Sequence, residues 1–213
     1  MQALDKIDYS NNWVTILLFV LLVGVVFLKL LNAKKLKQNV IAFFNNSLLD
    51  DSDVDGLNYT KPFQIIIFLF TVTVLSLLTH TFKIYKLPET ATNFVVFSTI
   101  FGCVLLYLFL KRMLEYGLSL LFMIKKNVRP FINSKINTLH SISFFLYIAL
   151  VLNEYANLNR VYLFYFASFL FIMRFIFLVA RNKKLIFNQL FYFILYICAF
   201  EIATLFVLYK LMF

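Results

Sequence analysis

Apolar residues run through this chain in six continuous stretches, Trp13–Leu31, Phe63–Phe82, Thr92–Leu110, Ile136–Leu152, Val161–Ala180 and Leu185–Tyr209, with charged connections between them. A hydrocarbon core about 30 Å thick needs about 20 such residues per helix, so each stretch is long enough to be read as a transmembrane helix. A barrel strand would instead alternate lipid-facing and lumen-facing residues over about 10 positions. Helices satisfy their own backbone groups in lipid, and the pattern therefore predicts an all-α membrane protein, a bundle of about six transmembrane helices forming one polytopic domain over residues 1–213. The fourth stretch is the weakest, because Asn137, His140 and Ser141 dilute its cytoplasmic half.

Two segments between spans have a different pattern. From Lys34 to Leu49 the apolar Leu36, Val40, Phe43, Phe44 and Leu48 recur at helical spacing, and Lys35, Gln38, Asn39, Asn45 and Asn46 fall on the opposite face. This fits an amphipathic helix on the cytoplasmic leaflet, with Lys34, Lys35 and Lys37 at the headgroups. It fits equally an extension of the first helix that packs on a neighbour. An acidic linker, Asp50-Asp51-Ser52-Asp53-Val54-Asp55-Gly56, completes the region 33–61. Its spacing resembles the start of an EF-hand loop, but the twelfth position counted from Asp51 is Pro62, next to Phe63 at the start of the second span, where that loop needs a glutamate. The second segment, Met113–Ile124, lies between Lys111-Arg112 and Lys125-Lys126. Twelve residues reach only about 18 Å. The region 113–126 is therefore expected to be a short interfacial or re-entrant helix flanked by basic residues at the membrane surface, with Gly117 permitting close approach and Glu115 pairing with Arg112 or Lys111.

Charge sets the orientation. With the amino terminus outside, the inner ends collect 14 basic residues, and the outer side keeps only Lys6, Lys83, Lys86, Arg160 and Lys210. That asymmetry is a positive-inside signal and places both termini outside. It also accounts for the net charge of +10 without nucleic acid, whose binding would need the basic residues on one soluble face. The first stretch does not read as a cleaved signal peptide, since Asp5 and Asp8 oppose Lys6 ahead of it and no small-x-small site follows.

Ionisable groups in lipid need a reason, and the spans contain three to weigh: Glu201, His80 and Arg174. At 1.5 Å per residue Arg174 lies about 10 Å from the cytoplasmic side, Glu201 about 24 Å and His80 about 26 Å. Arg174 can snorkel to the nearby headgroups, and His80 is one turn from the outer boundary. Glu201 has no such escape, so it is either protonated or paired, with His80 at its own level the nearest partner. Cys103 and Cys198 are isolated, and neither metal-ligand spacing nor a catalytic elbow or phosphate loop occurs, so no cofactor, metal or enzymatic activity is expected. The 4 glycines and 3 prolines give no broken helices, and no internal repeat marks a transporter.

The last stretch contains the most distinctive local string, Leu195-Tyr196-Ile197-Cys198-Ala199-Phe200-Glu201-Ile202-Ala203. With Asn12-Trp13 at the entry of a lysine-capped first helix, it resembles a family of small multi-pass inner-membrane proteins from Bacteroidota that carries only a domain-of-unknown-function name. The resemblance covers most of the chain and implies an envelope role without an assigned activity. The family pattern has a proline after Glu-Ile where this chain has Ala203, so a kink at Glu201 is not implied. The expectation is a non-enzymatic subunit or assembly factor of an envelope complex concerned with secretion or surface-polymer export, in contact with lipid and other integral membrane proteins. The alternative is a carrier for a small or lipid-linked substrate that uses Glu201 as a proton or cation site.

The orientation is testable. Cysteines introduced at Ser10 and Phe213 should react with an impermeant thiol reagent in cells permeable only at the outer membrane, and one at Ser52 should not. Labelling of Ser52 alone would reverse the topology.

Overall fold

The computed structural model describes residues 12–41, 62–86, 94–121, 125–156 and 160–181. Five helices occupy them, α1 (Asn12–Ile41), α2 (Pro62–Lys86), α3 (Phe94–Leu121), α4 (Lys125–Tyr155) and α5 (Arg160–Arg181), with no strand among the described residues. The first four are long and apolar enough to cross a membrane, and α5 contains a shorter apolar core, Val161–Phe177. The sixth stretch, Leu185–Tyr209, lies outside the described residues.

Helices α2 and α4 form the centre, each packing against the other and against α1, α3 and α5. Accordingly, 61% of the apolar stretch of α2 is buried, against 17% of that of α1. Their contact is aromatic and polar together: Phe70 stacks on Phe144 with ring centroids 4.8 Å apart and meets Tyr147 at 5.7 Å. Hydroxyl groups, which lipid cannot satisfy, point into this centre and donate to backbone carbonyls, mostly one turn back on their own helix. Thr71 donates to Ile67, Ser76 to Val72, Thr138 to Ser134 and Ser143 to Leu139. The polar residues that weaken α4 as an apolar pattern are thus explained by position, since His140 and Ser141 are buried in the middle of the bundle. The peripheral helices turn large apolar side chains outward, among them Phe19, Phe27, Phe109, Tyr162, Tyr165 and Phe169, as a hydrocarbon surrounding requires.

Helix α1 has two arms. Asn32 breaks it with extended backbone angles (φ −163°, ψ 90°), and its side-chain Oδ1 accepts the Lys35 N–H at 3.0 Å, an N-cap for the second arm. The Tyr147 hydroxyl donates to the Leu18 carbonyl and the Ser141 hydroxyl to the Val40 carbonyl. A straight helix would separate Leu18 from Val40 by about 33 Å, whereas Ser141 and Tyr147 are about 9 Å apart along α4. The second arm therefore turns back onto α4, and Asn39 on it is buried. Of the two sequence readings of Lys34–Leu49, packing on a neighbour describes the part up to Ile41, and 42–61 lie outside the described residues.

The expected short helix over Met113–Ile124 is not confirmed as a separate element: α3 continues through Lys111-Arg112 to Leu121 without a break. A pair of cations does not interrupt helical hydrogen bonding, and Leu, Met and Glu there are good helix formers. No described atom lies within 4 Å of a Cβ built on Gly117, so among the described residues no neighbour uses that glycine for close approach.

At the opposite end of the bundle, Trp13 opens α1 and meets His80 of α2 edge-on at 5.0 Å, and Phe94 and Phe97 of α3 at 5.8 and 5.2 Å. This aromatic contact joins three helix ends. Trp13→Ala should lower unfolding stability by about 3 kcal/mol and Trp13→Phe by about half of that, measured by denaturant titration in detergent.

Candidate functional site

Helices α2, α3, α4 and α5 line an open cavity of about 50 Å³ toward the start of α2 and the ends of α3 and α5. Counting residues, Thr71 lies about 14 Å from the start of α2, Lys111 about 15 Å from the end of α3, and Arg174 about 10 Å from the end of α5. Its polar lining is Thr71, Lys111, Arg112, Lys135, His140 and Arg174, set among Phe68, Leu108, Ile136 and Leu139. Among the described lining residues there are four cations and no acid.

Each helix contributes for a local reason. On α2, Thr71 already donates to the Ile67 carbonyl at 2.9 Å and stands 2.7 Å from Nδ1 of His140. A hydroxyl has one proton. With that proton on Ile67, the His140 ring must carry its proton on Nδ1 and donate it to Thr71, which fixes the ring across the α2–α4 contact. On α3, Lys111 is buried, and Arg112, half-buried, places its guanidinium 5.8 Å from the centre of the Phe68 ring in a cation–π contact. On α4, Lys135 is only 2% exposed. Its carbonyl accepts a hydrogen bond from Nη2 of Arg174 at 3.3 Å, which ties α5 to the first half of α4.

Two like charges about 8 Å apart still repel by about 2 kcal/mol at an effective dielectric constant of about 20. Four cations line this one cavity, and none of them is without a partner in the chain. Guanidinium and ammonium groups are donors, whereas the Thr71 hydroxyl and the His140 ring have spent their protons on Ile67 and on Thr71 respectively.

The residues singled out from sequence fall in three places. Arg174, expected to reach the headgroups, is buried at 8% exposure and lines the cavity. Lys111, expected at the membrane surface, is likewise 8% exposed and lines it together with Arg112. His80 is 1% exposed, within the aromatic contact of Trp13 and Phe97. Lys34 and Lys37 are exposed on the second arm of α1, where Lys35 is half-buried. Lys125 and Lys126 begin α4. Glu201, Cys198 and the expected Glu201–His80 contact lie outside the described residues, as does the side chain of Glu115. Cys103 is an exposed free thiol. Among the described residues no group of three or more His, Cys, Asp or Glu side chains could hold a metal ion.

Sequence reasoning missed His140, Lys135 and Thr71 as members of one site. The signals were the two cations at the head of the weakest span and its single histidine, but the partners lie on three other helices.

A helical bundle with four span-length apolar helices and a cationic cavity defines a polytopic membrane protein. More particularly, residues 14–212 match the model of DUF4271, a domain of unknown function, and the chain belongs to that family. No curated protein and no solved structure matches it.

The α2–α4 polar contact should be measurable. In a double-mutant cycle of Thr71→Val and His140→Leu, the coupling energy should be about 1 kcal/mol in detergent unfolding, the size usual for interhelical polar contacts in membranes. Additive effects would show that the pair does not hold α2 to α4.

Proposed function

We propose that this protein is a non-enzymatic integral component or assembly factor of a bacterial envelope complex, of the kind that secretes proteins or exports surface polymers. It is seated in the inner membrane with both termini in the periplasm. The observation that supports this reading is what the buried hydroxyls do. Thr71, Ser76, Thr79, Thr138 and Ser143 bond carbonyls of their own helices and Ser141 bonds Val40 of α1, so these hydroxyls at the centre spend their protons within the bundle. A scaffold of this kind offers its outward aromatic faces on α1, α3 and α5 to lipid and to neighbouring membrane proteins.

The cationic cavity favours a second reading, a carrier for a small or lipid-linked anionic substrate with Glu201 as a proton or cation site. The two differ in partners. Affinity purification of the full chain in mild detergent, followed by mass spectrometry, should recover other integral membrane proteins in fixed stoichiometry. Recovery of the chain alone, with substrate uptake when it is reconstituted by itself in liposomes, would replace the subunit with the carrier. Glu201→Gln should leave complex formation intact in the first case and abolish uptake in the second, since an amide bonds but does not titrate.

A further inference from the structure

We propose that the outward face of the second arm of α1, with Lys34 and Lys37, and the end of the first arm, with Lys29, bind the headgroups of anionic phospholipids. The leaflet concerned is the one at the end of the bundle opposite Trp13. This goes beyond an envelope role, which would stand or fall on copurification regardless of the lipid bound.

Three observations point to this partner. The first is that these cations are unlike those around the cavity. Lys111, Lys135 and Arg174 are buried and have partners in the chain, whereas Lys29, Lys34 and Lys37 are exposed, and among the described residues no side chain pairs with them. The second is depth. Lys29 lies about 24 Å along α1 from Trp13. Leu18, about 8 Å from Trp13, is joined to Tyr147, and Val40 is joined to Ser141, about 9 Å further from that end along α4. The second arm therefore climbs from Asn32, about 28 Å from the Trp13 end, to Val40 at about 17 Å, and Lys34 and Lys37 fall between these limits in one layer with Lys29. The third is the surface beside that layer. Toward Trp13 the same helix turns Ile16, Phe19, Val20, Val26 and Phe27 outward, so the lysines stand where the apolar surface of α1 gives way to headgroups.

The local structure keeps the charges on this face. Leu36 and Val40 pack against the core, Asn39 is buried, and the Ser141 hydroxyl holds the Val40 carbonyl, which leaves Lys34 and Lys37 together on the other side of the arm. A straight helix would put Lys37 about 36 Å from the Trp13 end, beyond a hydrocarbon core of about 30 Å and out toward water. The break and N-cap at Asn32 return it to headgroup level. Ammonium groups on flexible stems act as point charges without fixed geometry, which suits a fluid layer of lipid phosphates.

The test uses the full chain in nanodiscs of phosphatidylcholine with increasing amounts of phosphatidylglycerol. The unfolding midpoint should rise with phosphatidylglycerol, the rise should shrink at high salt, and native mass spectrometry should find that lipid retained in preference to phosphatidylcholine. A lysine near the surface is worth about fivefold in affinity, so Lys34→Gln combined with Lys37→Gln should weaken retention about 25-fold. The midpoint of that variant in pure phosphatidylcholine should be unchanged, since both side chains are exposed. Lys125→Gln combined with Lys126→Gln removes the same charge from the start of α4, about 24 Å along that helix from Ser141, and should leave most of the retention in place. An equal loss in this control would show an effect of net charge alone and overturn the site. So would the absence of any preference for phosphatidylglycerol, or a preference unchanged by Lys34→Gln with Lys37→Gln. If that variant instead loses a protein that copurifies with the unaltered chain, and neither form prefers the anionic lipid, the face belongs to the protein and the lipid proposal falls.

Discussion

The pairing of α2 with α4 is the constraint on which the rest of the bundle depends. In hydrocarbon there is no water to satisfy a hydroxyl or an imidazole, so any helix carrying them must turn them toward another helix or back onto its own backbone. Helices α2 and α4 carry most of the described buried polar residues, and they meet at the Thr71–His140 contact of 2.7 Å. The more uniformly apolar α1, α3 and α5 can tolerate lipid on one side. They are left to the outside by the same rule.

From that centre the two ends of the bundle differ in chemistry. One end is closed by Trp13, His80, Phe94 and Phe97, whose rings meet at T-shaped and tilted angles. The other holds the cations and the returning arm of α1, where Asn32 interrupts the helix and caps the next one. A single asparagine thus redirects a chain that hydropathy alone would continue. The return is held by the bond from the Ser141 hydroxyl to the Val40 carbonyl, again a polar side chain of α4.

The length and apolar character of the described spans were legible in the sequence because bilayer thickness imposes them directly. What the sequence hid is what depends on neighbours. Lys111-Arg112 reads as a membrane boundary, since paired cations usually mark one, yet α3 continues and turns Lys111 inward. The dilution of the fourth span by His140 and Ser141 reads as weakness and is in fact the mark of a central helix. Arg174 reads as a snorkelling side chain, because its distance to the headgroups is known from sequence and the position of the Lys135 carbonyl is not. The cavity draws its donors from positions 71 to 174, and no local spacing records such a set.

Cations near the inner ends of spans are normally explained by topology alone, and that explanation leaves their side chains free to sit in water. Here Lys111 and Lys135 are buried, and Arg112 is half-buried beside them. Setting these three aside, eleven basic residues still fall on the side expected to be inner against five on the other, so the charge asymmetry does not need them. Their burial is then a cost that topology does not require, and a bundle able to place them at the headgroups instead gathers them with Arg174 around one cavity. A buried charge that the asymmetry does not need is held by its contacts inside the bundle, which is why its place could not be read from the sequence.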